Sequence, residues 1–414
     1  MTASVDVGTR RMLWRFAPMI YGPTLLFGLG EGALLPLLPV IAASLGADIA
    51  QAALIASVIV VARLVGNLPA GWLVDRIGER RTMAIAGILA LLGALGVILA
   101  PSIGVLAVAV FGIGLCASTF GLARHAFMTT RVPKAYRARA LSVLGGSFRL
   151  GMFTGPFVAA AVLTWWGDER AVAWFFVASM VALIALVLVG TDPEEVLAAE
   201  GHARTAHGHT TAAPKAGVFR TMVQHRGVLA RLGVPAAALS ALRQARVYLL
   251  PLWGVSLQLD GQAIALIVGL TGALEFALFY SSGQIMDRWG RLWACLPSMV
   301  LMGGAFLGLS LTHDLDASTG WFIAGAVVVG IGNGLSSGIL MTLGADVAPP
   351  ANPAPFLGSW RTLTDAGAAA APLLIAGISA VASLPLASAV IGAIGLAGAA
   401  GFVRYVPRYV PRVR

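Results

Sequence analysis

Twelve stretches of this chain are apolar over the length that a helix needs to cross a bilayer, about 20 residues. Six lie near 17–45, 51–74, 83–101, 104–128, 138–164 and 170–190, and six more near 230–258, 262–286, 292–312, 318–346, 355–382 and 385–403. This pattern predicts an all-α integral membrane protein with twelve transmembrane helices. Composition agrees, with 58% hydrophobic and 11% charged residues, whereas soluble domains carry about 25% charge. Arg10, Arg11 and Arg15 precede the first apolar run as they would in a secretory signal, but the run continues to about Leu45, too long for such a segment, and reads as a first span. Between the sixth and seventh runs the chain is rich in Glu, His, Ala and Pro and has no periodic apolar face. The expected organisation is therefore a six-helix bundle over 1–190, a linker over 191–226 and a second six-helix bundle over 227–414.

The two halves read as copies of one another. Gly71, Asp75, Arg76 and Gly78 recur as Gly283, Asp287, Arg288 and Gly290, and 283 − 71 = 212. Gly146-Ser147-Phe148-Arg149 recurs as Gly358-Ser359-Trp360-Arg361 at the same offset, as does Leu38-Pro39 in Leu250-Pro251. Three matches at one spacing imply a tandem duplication. An even number of spans per copy leaves both copies in the same orientation.

The first landmark runs from Gly66 to Arg81, where an apolar run ends in a turn crowded with charge. Gly66 and Gly71 allow close approach of another helix, and Asp75, Arg76, Arg80 and Arg81 fall at headgroup level. The pattern Gly71, Asp75, Arg76, Gly78, Arg80, Arg81 resembles the signature loop between spans two and three of the major facilitator superfamily. Glu79 departs from that family pattern, which usually has a basic residue there. The resemblance implies the major facilitator fold, two pseudo-symmetric six-helix bundles that expose a central site alternately to each side. It also implies a conformational latch formed by Gly71, Asp75, Arg76, Gly78 and Arg80, with Asp287 and Arg288 in the second copy. Asp75 is expected near the N-terminal end of span eleven, where negative charge is favoured. Asp287 is expected to matter less, because Leu292 stands where the first copy has Arg80.

Span five carries Gly151, Gly155-Pro156 and Ala159-Ala160. This resembles the antiporter motif of drug:proton exchangers, although that motif usually ends in two glycines. Small residues permit close helix contact, and Pro156 removes a backbone donor and favours a kink; an ordinary packing seam would look the same. Ala123-Arg124-His125-Ala126 in span four also resembles exporters of this superfamily.

Net charge is +10, and its distribution follows topology. Nearly all basic residues flank one side of the spans, whereas the other side has Arg170 together with Asp48, Asp168, Glu169, Asp260, Asp314 and Asp316. Positive loops stay in the cytoplasm, so both termini and the linker are expected there, in a multi-pass protein of the cell (cytoplasmic) membrane. Anionic lipids are the expected partners of these loops. Nucleic acid is not expected, since the positive residues form no single patch. Cys116 and Cys295 lie in apolar segments as packing residues, and His202, His207 and His209 belong to a solvated linker, so neither a metal nor any other cofactor is expected. No nucleotide-binding loop is present, and an enzyme is not expected.

Ten ionisable residues fall inside the predicted spans: Glu31, Arg63, Arg124, His125, Arg149, Arg243, Arg246, Glu275, Arg361 and Asp365. A charge at the bilayer centre costs roughly 2.5–3.5 kcal/mol on insertion scales, so each should meet a partner or a wet cavity. Adding 212 converts Glu31 into Arg243 and Arg63 into Glu275, so the duplicated hairpins carry acid and base in exchanged order. All four lie 16 residues from their hairpin turns at Ala47 and Leu259, roughly 20 Å from the outer face at ~1.5 Å per residue. Glu31 is expected to approach Arg63, and Arg243 to approach Glu275, directly or through a shared network. Arg361 and Asp365 share a helix face four residues apart. Three acids against six arginines leave three in excess, with Arg124, Arg149 and Arg246 expected to be unpaired. Arg63, Arg124, His125, Arg149, Arg243, Arg246, Tyr248 and Arg361 are the candidates to line a substrate cavity; the alternative is that these arginines knit helices together or reach toward the cytoplasm. Glu31 leads the candidates for proton coupling, ahead of Glu275 and Asp365, because burial raises a carboxyl pKa while a neighbouring arginine lowers it.

The expectation is a secondary transporter that moves a small organic molecule by alternating access, as a proton-coupled exporter. A single chain of twelve spans is expected to suffice as a monomer. Proton-coupled uptake or exchange of an organic anion is the alternative that the arginine excess favours. A membrane sensor or scaffold without flux is the alternative of another class.

Overall fold

The computed structural model describes residues 17–131, 134–189, 223–349 and 353–410. Most of the linker, including His202, His207 and His209, and the N-terminal Arg10, Arg11 and Arg15 lie outside the described residues.

The described chain is helical and contains no strand. Span one consists of Ala17–Leu34, a tight turn Leu35–Leu37 and Leu38–Ser44, so the helix changes pitch at the Pro36-Leu-Leu-Pro39 segment, where two prolines remove backbone donors. Spans two to six are Ile49–Ile77, Glu79–Leu99, Ile103–Arg131, Lys134–Trp166 and Ala171–Val189. Span seven is Val234–Ser256, entered through a wide turn at Leu229–Gly233, and spans eight and nine are Gly261–Arg288 and Leu292–Thr312. Spans eleven and twelve are Pro353–Val381 and Leu384–Tyr409. Among the described residues, eleven helices are long and apolar enough to cross a membrane. The twelfth, span seven, is 23 residues long and carries Arg243, Gln244 and Arg246.

Span ten departs from the sequence expectation of one helix. It breaks into Ser318–Leu335 and Ile339–Val347 around Gly338, whose φ of 80° favours glycine. Ser336 Oγ donates to Asn333 O, and Ser282 Oγ of span eight reaches Leu335 O at 2.8 Å and Ser337 O at 3.0 Å. Hydroxyls thus replace the helical donors lost at the break, the condition under which irregular backbone is tolerated at membrane depth.

Two compact units emerge, one from the described parts of Met1–Leu35 and Val58–Thr211, the other from Pro36–Ser57 and the described parts of Ala212–Arg414. The tip of the first hairpin therefore groups with the second unit, where Ser57 Oγ donates to Ala53 O or to Pro372 O. In the first unit, span one packs on spans five and six, and span three on spans four and six. In the second, span seven packs on eleven and twelve, and span nine on ten and twelve. The same pairing in each unit is the structural counterpart of the 212-residue repeat. Large apolar side chains such as Leu99, Val108, Leu188, Leu311 and Val381 are exposed, which suits helices whose outer faces meet lipid tails.

Candidate functional site

In the first unit the depth-matched residues of spans one and two meet. Arg63 Nη2 forms an ion pair with Glu31 Oε1, in which the glutamate is 2% exposed and the arginine 33%. Burial makes this carboxylate dependent on its partner, while the arginine retains contact with a wetter environment. What brings span one to this place is glycine. Gly28 and Gly32 face span five, and Gly151 and Gly155 face span one, so each would-be Cβ collides with backbone of the opposite helix. The small-residue seam read in the antiporter-like motif is therefore the surface that seats the helix bearing Glu31. Span five runs uninterrupted through Pro156.

Arg124 of span four lies beside this pair, close enough to Arg63 for the two positive charges to act on one another. Its guanidinium carbon stands 4.9 Å from the centroid of the Phe148 ring and 5.9 Å from that of Phe120. Phe120 in turn stacks on Phe27 of span one at 5.0 Å. The Nε and Nη1 atoms of Arg124 are buried and have no hydrogen-bond partner among the described residues. His125 is exposed, with Nδ1 3.1 Å from Gly121 O. Arg149 is exposed and engaged in contacts of its own, which corrects its expected place among the unpaired arginines.

In the second unit the ion pair to Glu275 is made by Arg246, with Nη2 2.9 Å from Oε2. Arg246 was expected to be unpaired, and that expectation is corrected here. Counting residues from a turn measures distance along the helix but not rotation about it, and position 246 lies three residues on from 243 along nearly the same face. Arg243 is half-buried and makes interactions of its own. Arg246 Nη1 also lies 3.5 Å from Thr271 Oγ1. Tyr248 is buried. Arg361 and Asp365 pair along span eleven at 3.7 Å, and both remain largely exposed.

The two signature loops differ in their wiring. In the first, span two continues to Ile77 and the chain turns at Gly78, whose φ is 82°. Asp75 and Arg76 are exposed, and Arg76 stacks on Trp72 at 5.3 Å. Arg80 donates from Nε to Val187 O at 2.9 Å and from Nη2 to Leu188 O at 2.7 Å. It thereby caps the final carbonyls of span six, where positive charge meets the negative end of the helix. The close helix approach expected at Gly66 is present, against Ser118 and Leu115, whereas Gly71 leaves 3.8 Å to Leu122 Cδ2, an ordinary contact. In the second loop Arg288 is exposed, and Arg291 bridges Asp346 at 2.8 Å and Asp287 at 3.3 Å. The hydrogen bond that Arg291 donates to Asp346 holds its guanidinium above its ordinary pKa. The offset carries a signal for this bridge: 291 − 212 is Glu79 and 346 − 212 is Lys134, acid and base exchanged once more.

Two other clusters lay beyond sequence reasoning. His313 packs edge-on against Trp253 at 5.1 Å, with Nε2 3.2 Å from Ser256 Oγ and Nδ1 2.8 Å from Asp314. The other is the serine-capped break of span ten, whose Gly-Leu-Ser-Ser-Gly run reads in sequence as a small-residue seam. Among the described residues, no group of His, Cys, Asp and Glu is arranged to hold a metal ion.

A chain of membrane-length helices, built as two units with matching internal pairings and carrying buried acid–base pairs, has the architecture of a secondary transporter. Comparison with known proteins supplies the family. The profile of the Major Facilitator Superfamily matches residues 23–372, and the chain belongs to that superfamily. An uncharacterized MFS-type transporter of Mycobacterium tuberculosis (strain CDC 1551 / Oshkosh) is 27% identical over 368 residues, covering 84% of this chain and 81% of that one. Among solved structures, a mutant of a peptide transporter POT in complex with sulfate has a TM-score of 0.73 at 16% identity, covering 95% of this chain and 94% of the other. A bacterial homologue of the human lysosomal transporter Spinster, inward-facing and unoccupied, has a TM-score of 0.70 at 13% identity, covering 96% and 97%. The protein is thus a multi-pass membrane transporter of a small molecule and not an enzyme.

Proposed function

We propose that this transporter exports a small organic molecule across the cytoplasmic membrane in exchange for protons, with Glu31 as the proton-carrying group and Arg63 as its movable counter-charge. The observation that carries this reading is the buried Glu31 carboxylate held against a half-exposed arginine. A carboxylate so placed changes its affinity for protons whenever its partner shifts, which gives each half of a transport cycle a different protonation state. Export is supported by the likeness of the Gly151–Pro156 segment to the motif of exchangers and by its seating of span one. Glu275, paired with Arg246, and Asp365, paired with Arg361, are the reserve carriers. The protein acts as a monomer with both termini in the cytoplasm and its basic loops against anionic headgroups.

The test uses proteoliposomes of uniform orientation and a pH gradient imposed in either direction. Acid on the extracellular side should accelerate substrate movement outward, and a rate indifferent to both gradients would remove the proton from the scheme. A second reading, uptake or exchange of an organic anion, is favoured by the unpartnered donors of Arg124; it requires acceleration inward under the same gradient.

Asp75 and Arg76 serve in this scheme as the conformational latch. Asp75→Asn should shift the inward/outward population, read by spin-label distances, and slow transport; an unchanged population would leave the motif a structural turn only.

A further inference from the structure

We propose that Arg124 is the anchor of an oxyanion subsite within the first unit, taking the carboxylate or phosphate group of an organic anion. Three observations converge on it. The cluster of Glu31, Arg63 and Arg124 holds two guanidinium groups against one carboxylate, and Glu31 is already committed to Arg63. The charge of Arg124 is therefore unmet in surroundings where it lies close enough to Arg63 to be repelled. Its Nε and Nη1 are buried without a hydrogen-bond partner among the described residues, a cost that native proteins retain where a ligand answers it.

The third observation is the way in which the guanidinium is held. Phe148 and Phe120 stand 4.9 and 5.9 Å from its carbon. Aromatic rings attract the cation but supply none of the carboxylate or phosphate oxygens that its planar N–H edge matches. Stacking of Phe120 on Phe27, itself 2% exposed, keeps this platform rigid. The arrangement is a preset donor edge, with its counter-charge still to come. A bound anion would also draw on Arg63 and so loosen its hold on Glu31, linking occupancy to the proton site. Only that last link rests on the transport reading above; binding itself requires no gradient.

The full chain, reconstituted in phosphatidylcholine nanodiscs, is titrated with benzoate and with phenylphosphonate, and benzamide serves as the neutral isostere. Binding is read as the ligand-dependent rise in Tm. Both anions should raise Tm saturably while benzamide does not. Arg124→Gln should weaken anion binding by at least about tenfold, as expected for loss of charge-assisted hydrogen bonds. Arg124→Lys keeps the charge but not the planar donor edge, and should recover only part of the affinity; it carries the test if the glutamine variant does not fold. Repetition with phosphatidylglycerol in the nanodisc separates the sources of the oxyanion. Unchanged benzoate affinity assigns the subsite to free anions, whereas competition in proportion to phosphatidylglycerol assigns it to a lipid headgroup, and either result retains Arg124 as the anchor. Equal stabilisation by benzamide, no shift with either anion, or full anion affinity in the Arg124 variants would overturn the proposal. Loss of proton drive in flux assays, with this binding intact, would fault the coupling reading and leave the subsite standing.

Discussion

Replacing Glu31 with Gln should reduce pH-gradient-driven transport to the level of protein-free liposomes while leaving counterflow exchange of substrate in place. Glutamine preserves the volume and hydrogen-bonding reach of the side chain but cannot exchange a proton, so the substitution separates coupling from translocation. Two other consequences of the change must be weighed. Breaking a buried ion pair by removing one partner commonly costs 3–5 kcal/mol, roughly, through the charge left behind. Here the group left behind is Arg63, which is 33% exposed, so solvent screening should keep the loss below that range. Folding should therefore survive, and a thermal melt of the variant checks it. Glu31→Asp is the companion variant: it retains the proton and should restore gradient response in part, with the shorter side chain straining the bond to Arg63. Undiminished driven transport by the glutamine variant would exclude Glu31 as the obligatory carrier, and the same pair of assays would then pass to Glu275 and Asp365.

The position of Glu31 illustrates which parts of the molecule are legible in one sequence. Span placement follows from apolar length, and the offset of 212 residues locates equivalent positions in both units. Depth follows from residue counting, which is why the sequence matches Glu31 with Arg63, and the two do meet. Rotation about the helix axis does not follow from counting. Arg243 is the depth-matched position, and packing brings Arg246, nearly one turn further on, to Glu275. Contacts made to backbone are hidden for a different reason, because carbonyls leave no trace in composition. The capping of Val187 and Leu188 by Arg80 and the serine hydroxyls at the break of span ten are of this kind. The Arg291–Asp346 bridge was within reach. Its repeat counterparts Glu79 and Lys134 show the same exchange of acid and base as the mid-membrane pair, and Glu79, odd for the family signature, becomes intelligible as half of that exchange. An ion pair needs only opposite charges at two positions, so a duplicated sequence is free to exchange acid and base between its copies.

The second large effect concerns the seam that carries span one. Gly155→Ala should destabilise the first unit by about 1–3 kcal/mol, the usual range for forcing an extra methyl group into a packed interface, and Gly155→Val by more. A Cβ at this position would lie 2.5 Å from Ala33 N and 2.6 Å from Leu29 O. Both are backbone atoms, which cannot turn aside as a side chain can, so the helices must separate along the stretch that holds Glu31. Gly151 meets the same obstacle against Leu25 O and Leu29 N, each at 2.6 Å. The control is Gly112 in span four, where a Cβ would meet nothing within 4 Å. Alanine there removes only the helix penalty of glycine, roughly 0.8–1.0 kcal/mol in peptides, and should leave stability unchanged or raised. The second unit offers an internal comparison, since Gly155 + 212 is Gly367, where a Cβ would lie 2.7 Å from Ala237 C and 2.8 Å from Ala237 Cα. Gly151 + 212 is Leu363, however, and the space it needs is supplied by Gly233 leading into span seven, whose own Cβ would lie 2.6 Å from Leu363 Cδ2. Gly233 is the counterpart of Tyr21, whereas Gly151 faces Leu25, Gly28 and Leu29, so this contact has no equivalent at Gly151. Gly367→Ala should cost about as much as Gly155→Ala, and Leu363→Gly should destabilise by leaving a cavity opposite Gly233. Melts of the purified variants in detergent, followed by size exclusion, read all of these. A Gly155→Ala protein as stable as the parent would mean that spans one and five tolerate separation and that the seam does not position Glu31.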